Sequence, residues 1–84
     1  MEKKEISDRI KILLVEDLFL ADSVDEISGS AELGTDLGMD SVGFVELATL
    51  AGEVFGIEVA DTDIGDGHFT SVDKLTEFVA ARLH

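Results

Sequence analysis

Eighty-four residues suffice for one small core, read here as a single domain over residues 1–84, and leave little room for an enclosed catalytic cavity. Six Lys and Arg against 19 Asp and Glu give a formal charge of −13. Such a surface repels nucleic-acid backbones and anionic lipid heads and favours basic patches on other proteins.

Cys is absent, so there is no disulfide, thiolate nucleophile or Cys-type zinc site to consider. The charged residues 1–5 are unlike a signal peptide, and no apolar run reaches bilayer-spanning length. The expectation is a soluble, cytoplasmic monomer.

The first periodic segment covers residues 6–20, where Ile6, Ile10, Leu13, Leu14 and Leu18 recur at helical spacing. Glu5 and Asp8 lie near its start, where negative charge complements the helix dipole. Residues 21–39 are rich in Asp, Ser and Gly and read as a long ordered loop, anchored to the core by Val24, Ile27, Leu33 and Leu37.

A second helix begins at Asp40 and Ser41 and ends near Gly56. Asp40 suits the N-cap and Gly56 the position just past the C-terminus. Phe44, Leu47, Ala48, Ala51, Val54 and Phe55 form its expected core face. An extended link at 57–60 follows, then an acidic, glycine-containing stretch, 61–68, with room for one weak helical turn. The last helix starts at Thr70 or Ser71, Asp73 standing in capping-box register with Thr70. Val72, Leu75, Val79 and Leu83 are its buried stripe. The sum is an all-α fold of three main helices plus a short, irregular third helix in chain order.

The chemistry is concentrated in Asp36-Leu37-Gly38-Met39-Asp40-Ser41-Val42. A glycine turn delivers an acid and then a serine to the first turn of a helix, where unpaired N–H groups and the positive dipole end favour an anion. For an isolated Asp-Ser pair, ordinary helix capping is the commoner explanation, and capping stays a concurrent role for Asp40.

The wider context is more specific. That heptapeptide, followed by Glu46-Leu47 and by Phe55-Gly56-Ile57-Glu58-Val59, resembles the phosphopantetheine-binding acyl carrier protein family over nearly the whole chain. The resemblance implies a four-helix carrier bundle and a 4′-phosphopantetheine arm joined covalently to Ser41, with Asp40 as the motif acid beside it. It implies a non-catalytic role, holding acyl intermediates as thioesters for fatty-acid or polyketide-type enzymes. The partners implied are a phosphopantetheinyl transferase and acyltransferase-, ketosynthase- or ligase-type enzymes with basic docking patches.

Departures from the family pattern are Val42 for the usual Leu, Ala60 for a usual Pro, a looser stretch around Gly65 and Gly67, and Gly43 in the first helical turn. Gly43 costs about 1 kcal/mol of helix propensity relative to Ala. It either gives a partner room or is neutral. The Val42-Gly43-Phe44 run leans the reading toward specialised, polyketide-like biosynthesis. Two other functions stay open: an aminoacyl or peptidyl carrier of a nonribosomal assembly line, and an acidic interaction module whose Ser41 is never modified.

At about 100° per residue, one face of the second helix carries Val42, Val45, Glu46, Thr49 and Glu53. These are the candidate partner-binding residues; the alternative is that Val45 is partly core and the two acids are merely solvated. A calcium loop at 61–72 fails: its sixth position is Asp66 where Gly belongs, and its twelfth is Val72 where Glu belongs. His68 reads as a turn residue and His84 as terminal. No catalytic or metal site is expected.

Overall fold

The computed structural model describes residues 1–83; His84 lies outside the described residues. Helix α1 spans Lys3–Glu16, a 3₁₀ turn Val24–Glu26, α2 Ser41–Phe55, α3 Asp61–Gly65 and α4 Val72–Arg82. The described residues are thus helical and irregular, as the patterning required. Their nearest approach to sheet is one isolated antiparallel bridge between Glu32 and Ser71.

Helix α1 starts earlier and ends earlier than its apolar spacing indicates. At its start the Glu2 N–H donates to the Glu5 carboxylate at 3.3 Å. At its end Glu16 and Asp17 put two carboxylates at the negative pole of the dipole, with no basic residue in the last turn. The chain then turns: the Asp17 and Leu18 N–H groups both donate to the Leu13 carbonyl, and the Leu20 N–H to that of Leu14. Leu18 and Leu20 therefore reach the core from a turn rather than from a helix. Phe19, between them, has φ 55° and faces solvent.

One core runs through the domain. Ile6, Ile10, Leu13 and Leu14 of α1 meet Val72, Leu75, Phe78 and Val79 of α4, and Leu47, Ala48, Ala51 and Phe55 of α2 close it. Ile27 and Leu33 plug in from the long loop. At roughly 2–5 kcal/mol for truncating a buried Leu or Ile, these few contacts are a large share of what a domain this size can hold.

Three core expectations need correction: Val24, Val54 and Leu83 are exposed, whereas Leu37 packs against the core as a partly buried side chain. Val24 opens the 3₁₀ turn, so Ile27, one turn later, takes the inward place. Val54 stays at the surface of α2 while its neighbour Phe55 is buried. Leu83 falls at the C-cap of α4, beyond the last core layer. Phe78 and the Thr76 side chain are buried in addition, Thr76 Oγ1 donating to the Val72 carbonyl at 2.7 Å.

The capping box between Thr70 and Asp73 does not form. Ser71 is the N-cap of α4, its hydroxyl accepting from the Lys74 N–H at 3.1 Å. Thr70 instead donates to the Gly67 carbonyl, and the Asp73 N–H donates to Gly29. That last bond ties the long loop to the start of α4.

Helix α3 is real but short. Its N-terminus is held from inside the helix, the Asp63 carboxylate accepting from the Ala60 N–H at 2.8 Å.

Candidate functional site

The segment that presents Ser41 is rigidly seated. The Leu33 side chain is fully buried and its N–H donates to the Thr70 carbonyl at 2.9 Å. The Leu33 carbonyl in turn accepts from the Met39 N–H at 2.9 Å, and Met39 is buried. Between them the Asp36 carboxylate accepts from the Glu32 N–H, and Glu32 O accepts from the Asp36 N–H. Gly38 reverses the chain at φ 76°, a conformation open to glycine at little cost. The loop that looked long in sequence is clamped immediately before the helix begins.

Asp40 is the N-cap of α2, with extended backbone and its carboxylate accepting from the Gly43 N–H at 2.8 Å. Ser41 is the first helical residue and is exposed. The N–H groups of Ser41 and Val42 lie ahead of the first intrahelical acceptor, so they and the positive dipole end face the space around the hydroxyl. Among the described residues Ser41 Oγ makes no hydrogen bond with another side chain. At the other end Gly56, at φ 66°, closes the helix as its C-cap.

The site residues share one side of α2. Val42 and Val45 are 63% and 56% exposed, and Glu46, Thr49 and Glu53 are exposed with them. Thr49 Oγ1 donates to the Val45 carbonyl, a local bond that satisfies the hydroxyl within α2. Glu46 and Glu53 form no ion pair among the described residues. The strip is flanked by two open clefts. One, about 270 Å³, lies toward Val59, Asp61 and Ile64; the other, about 470 Å³, lies toward Leu18 and Phe19.

Gly43 has a structural reason. A Cβ there would lie 2.5 Å from Cγ of Met39, inside van der Waals contact with a buried side chain. The glycine lets Met39 pack beneath the first turn, so it reports on the fold rather than on a partner.

Sequence reasoning missed three features. Phe19 stands bare beside the second cleft; no periodicity marks a residue in a turn. Arg82 reaches across to Asp63, a pairing 19 residues apart in sequence. His68 lies in a turn, as expected, stacked 4.9 Å from the Phe78 ring. Its nitrogens come within 4.8 Å of carboxylate oxygens of Asp63 and Asp66, a juxtaposition that sequence spacing did not disclose. Both Asp63 oxygens are already engaged, one by the Ala60 N–H and one by Arg82.

Comparison with known proteins gives this geometry its class. Residues 8–79 match the family model described as "Phosphopantetheine attachment site", which defines a carrier domain whose cofactor is covalent 4′-phosphopantetheine. The residues present fit such a group: an exposed hydroxyl at a helix start whose first N–H groups have no intrahelical acceptor. The chain is 36% identical over 84 residues to an "Acyl carrier protein" of Saccharopolyspora erythraea, covering 99% of this chain and 86% of that one. It is 38% identical over 56 residues to an "Acyl carrier protein, mitochondrial" of Neurospora crassa, covering 67% of this chain and 40% of that relative.

The chain belongs to the phosphopantetheine-binding acyl carrier protein family. Members of that family work with biosynthetic enzymes and with a phosphopantetheinyl transferase. No helix among the described residues is long and apolar enough to cross a membrane.

Proposed function

We propose that Ser41 is the attachment residue and that the protein presents acyl intermediates to enzymes of fatty-acid or polyketide-type synthesis. The observation that carries the reading is the placement of Ser41: exposed, first in α2, behind a clamped loop, with Asp40 capping the same turn. The arm, when bound, supplies a terminal thiol on which acyl groups are held as thioesters. In loading, Ser41 Oγ loses its proton and gains a bond to phosphorus of coenzyme A, as the pyrophosphate bridge breaks and adenosine 3′,5′-bisphosphate leaves. With no base bonded to Ser41, activation of the hydroxyl falls to the transferase.

The chain's own contribution is address. Val42, Val45 and Thr49 offer a small apolar strip, and Asp40, Glu46 and Glu53 surround it with charge that guides basic docking patches. The net charge of −13 disfavours pairing with a second copy, so the carrier acts as a monomer, here assigned to the cytoplasm. Because Gly43 is accounted for by Met39, the Val42-Gly43-Phe44 run says less about pathway than its unusual composition suggests.

The test is intact mass after incubation with a phosphopantetheinyl transferase, coenzyme A and Mg²⁺. One addition, mapping to Ser41 and lost in Ser41→Ala, is expected. No addition would make the protein an unmodified acidic interaction module. Thioester cargo released from carrier isolated from its producing cell then separates acyl from aminoacyl loading.

A further inference from the structure

Phe19 is 82% exposed, the most exposed large apolar side chain among the described residues. It is also their one non-glycine residue with positive φ, an unfavourable state for an aromatic residue. The ring adds nothing to the core; the turn is held by its neighbours, the Leu20 N–H donating to the Leu14 carbonyl, and asks nothing of an aromatic side chain at this position. A bare aromatic ring where the turn would be served better by glycine points to a partner.

Its surroundings say what kind. Leu18 and Phe19 line one wall of the 470 Å³ cleft, and Asp40, Val42 and Glu46 line the other. Asp40, Val42 and Gly43 belong to the N-cap and first turn of α2, so the cleft reaches the turn that carries Ser41. The charged side chains around it are Asp17, Asp40 and Glu46, and among the described residues no basic one lines it. A second copy, an anionic membrane or a nucleic acid would each bring like charge to this rim. The complement is a protein surface with an apolar socket for one aromatic ring, edged by Lys or Arg.

We infer that Phe19 is an aromatic anchor for the phosphopantetheinyl transferase that modifies Ser41. Any enzyme forming a bond to Ser41 Oγ must cover the first turn of α2 and so meets the adjoining cleft, whereas an enzyme acting at the far end of the arm need not. The inference rests on the assignment of Ser41 as the attachment residue and adds a recognition element outside α2.

The experiment measures kcat and KM for the carrier with a purified transferase and coenzyme A, alongside urea unfolding, for wild type, Phe19→Gly and Phe19→Tyr. Glycine adopts the positive φ freely, so Phe19→Gly keeps or gains stability. Its KM is expected to rise about ten-fold with kcat nearly unchanged, and Phe19→Tyr to restore most of the affinity. An unchanged KM in a stable Phe19→Gly overturns the inference while leaving Ser41 modified. A raised KM accompanied by lost stability overturns it too, making Phe19 structural. Sedimentation of wild type as a dimer that Phe19→Gly dissolves would assign the ring to self-association instead. Wild type that takes no addition at all defeats the Ser41 assignment itself, a different readout.

Discussion

Arg82, in the last turn of α4, donates to the Asp63 carboxylate of α3 at 3.3 Å and to the Glu58 carbonyl at 2.9 Å. Its guanidinium also lies 4.6 Å from the centroid of the Phe78 ring. Asp63 uses its second oxygen to hold the Ala60 N–H. One arginine thereby fastens both the extended link and the short helix to α4. These contacts explain how five helical residues persist where composition promised a weak turn.

Removing either partner should loosen that segment first. Asp63→Ala is expected to cost about 1–2 kcal/mol, because it deletes a backbone cap as well as the ion pair. Arg82→Lys should cost about 0.5–1 kcal/mol, since an ammonium cannot reproduce the forked contact and the arginine is partly solvated. Urea unfolding gives the totals. Amide hydrogen exchange at residues 58–64 should rise in both variants before exchange elsewhere changes, and uniform acceleration would contradict a local latch.

Asp40 combines a cap with a charge, and two substitutions separate them. Asp40→Ala removes the bond to the Gly43 N–H and should lower stability by about 1 kcal/mol. Asp40→Asn caps about as well and should leave the melting temperature nearly unaltered. If the carboxylate also serves loading of Ser41, Asp40→Asn will slow phosphopantetheine transfer despite its intact fold. Equal transfer rates for Asp40→Asn and wild type would restrict Asp40 to capping.

Glycine substitutions at the two ends of α2 should both destabilise, for different reasons. At Gly56 a Cβ meets open space, but φ is 66°, so Gly56→Ala is expected to cost about 1–2 kcal/mol through backbone strain. At Gly43 the backbone is helical and Ala would gain about 1 kcal/mol of propensity. The collision with Met39 should outweigh that gain, for a net loss of about 1 kcal/mol. Pairing Gly43→Ala with the smaller Met39→Ala should recover the propensity gain, a coupling that a double-mutant cycle reads directly.

Reversing charge on the exposed face of α2 should act on encounter rather than on folding. Glu46→Lys with Glu53→Lys leaves no ion pair broken within the described residues, so unfolding midpoints should change little. Transfer efficiency with a basic transferase should fall about ten-fold at low ionic strength, with the gap narrowing as salt rises. Rates and salt slopes identical to wild type would discard these acids as recognition residues.

Much of α2 was legible because its signals are local. An N-cap carboxylate bonds an N–H three residues on, a C-terminal glycine adopts its own left-handed state, and core positions recur every three or four residues. The same locality exposed Asp40, Ser41 and the strip from Val42 to Thr49. Ile27 and Leu33 were recognisable as plugs by their isolation in a polar loop. The end of α1 was not legible: Leu18 keeps helical register in sequence, yet it reaches the core from a turn because the chain must redirect around α2.

From the chain of residues alone came the all-helical class, the acidic character and the serine at a helix start, since composition, caps and periodicity act over a few positions. Tertiary structure alone decided that the loop before Ser41 is clamped by Leu33, Thr70 and Met39, that Arg82 secures α3, that Gly43 makes room for Met39, and that Phe19 stands bare at a cleft reaching the first turn of α2. Those outcomes depend on groups far apart in sequence meeting at hydrogen-bond or contact distance, and only the packed chain brings them together.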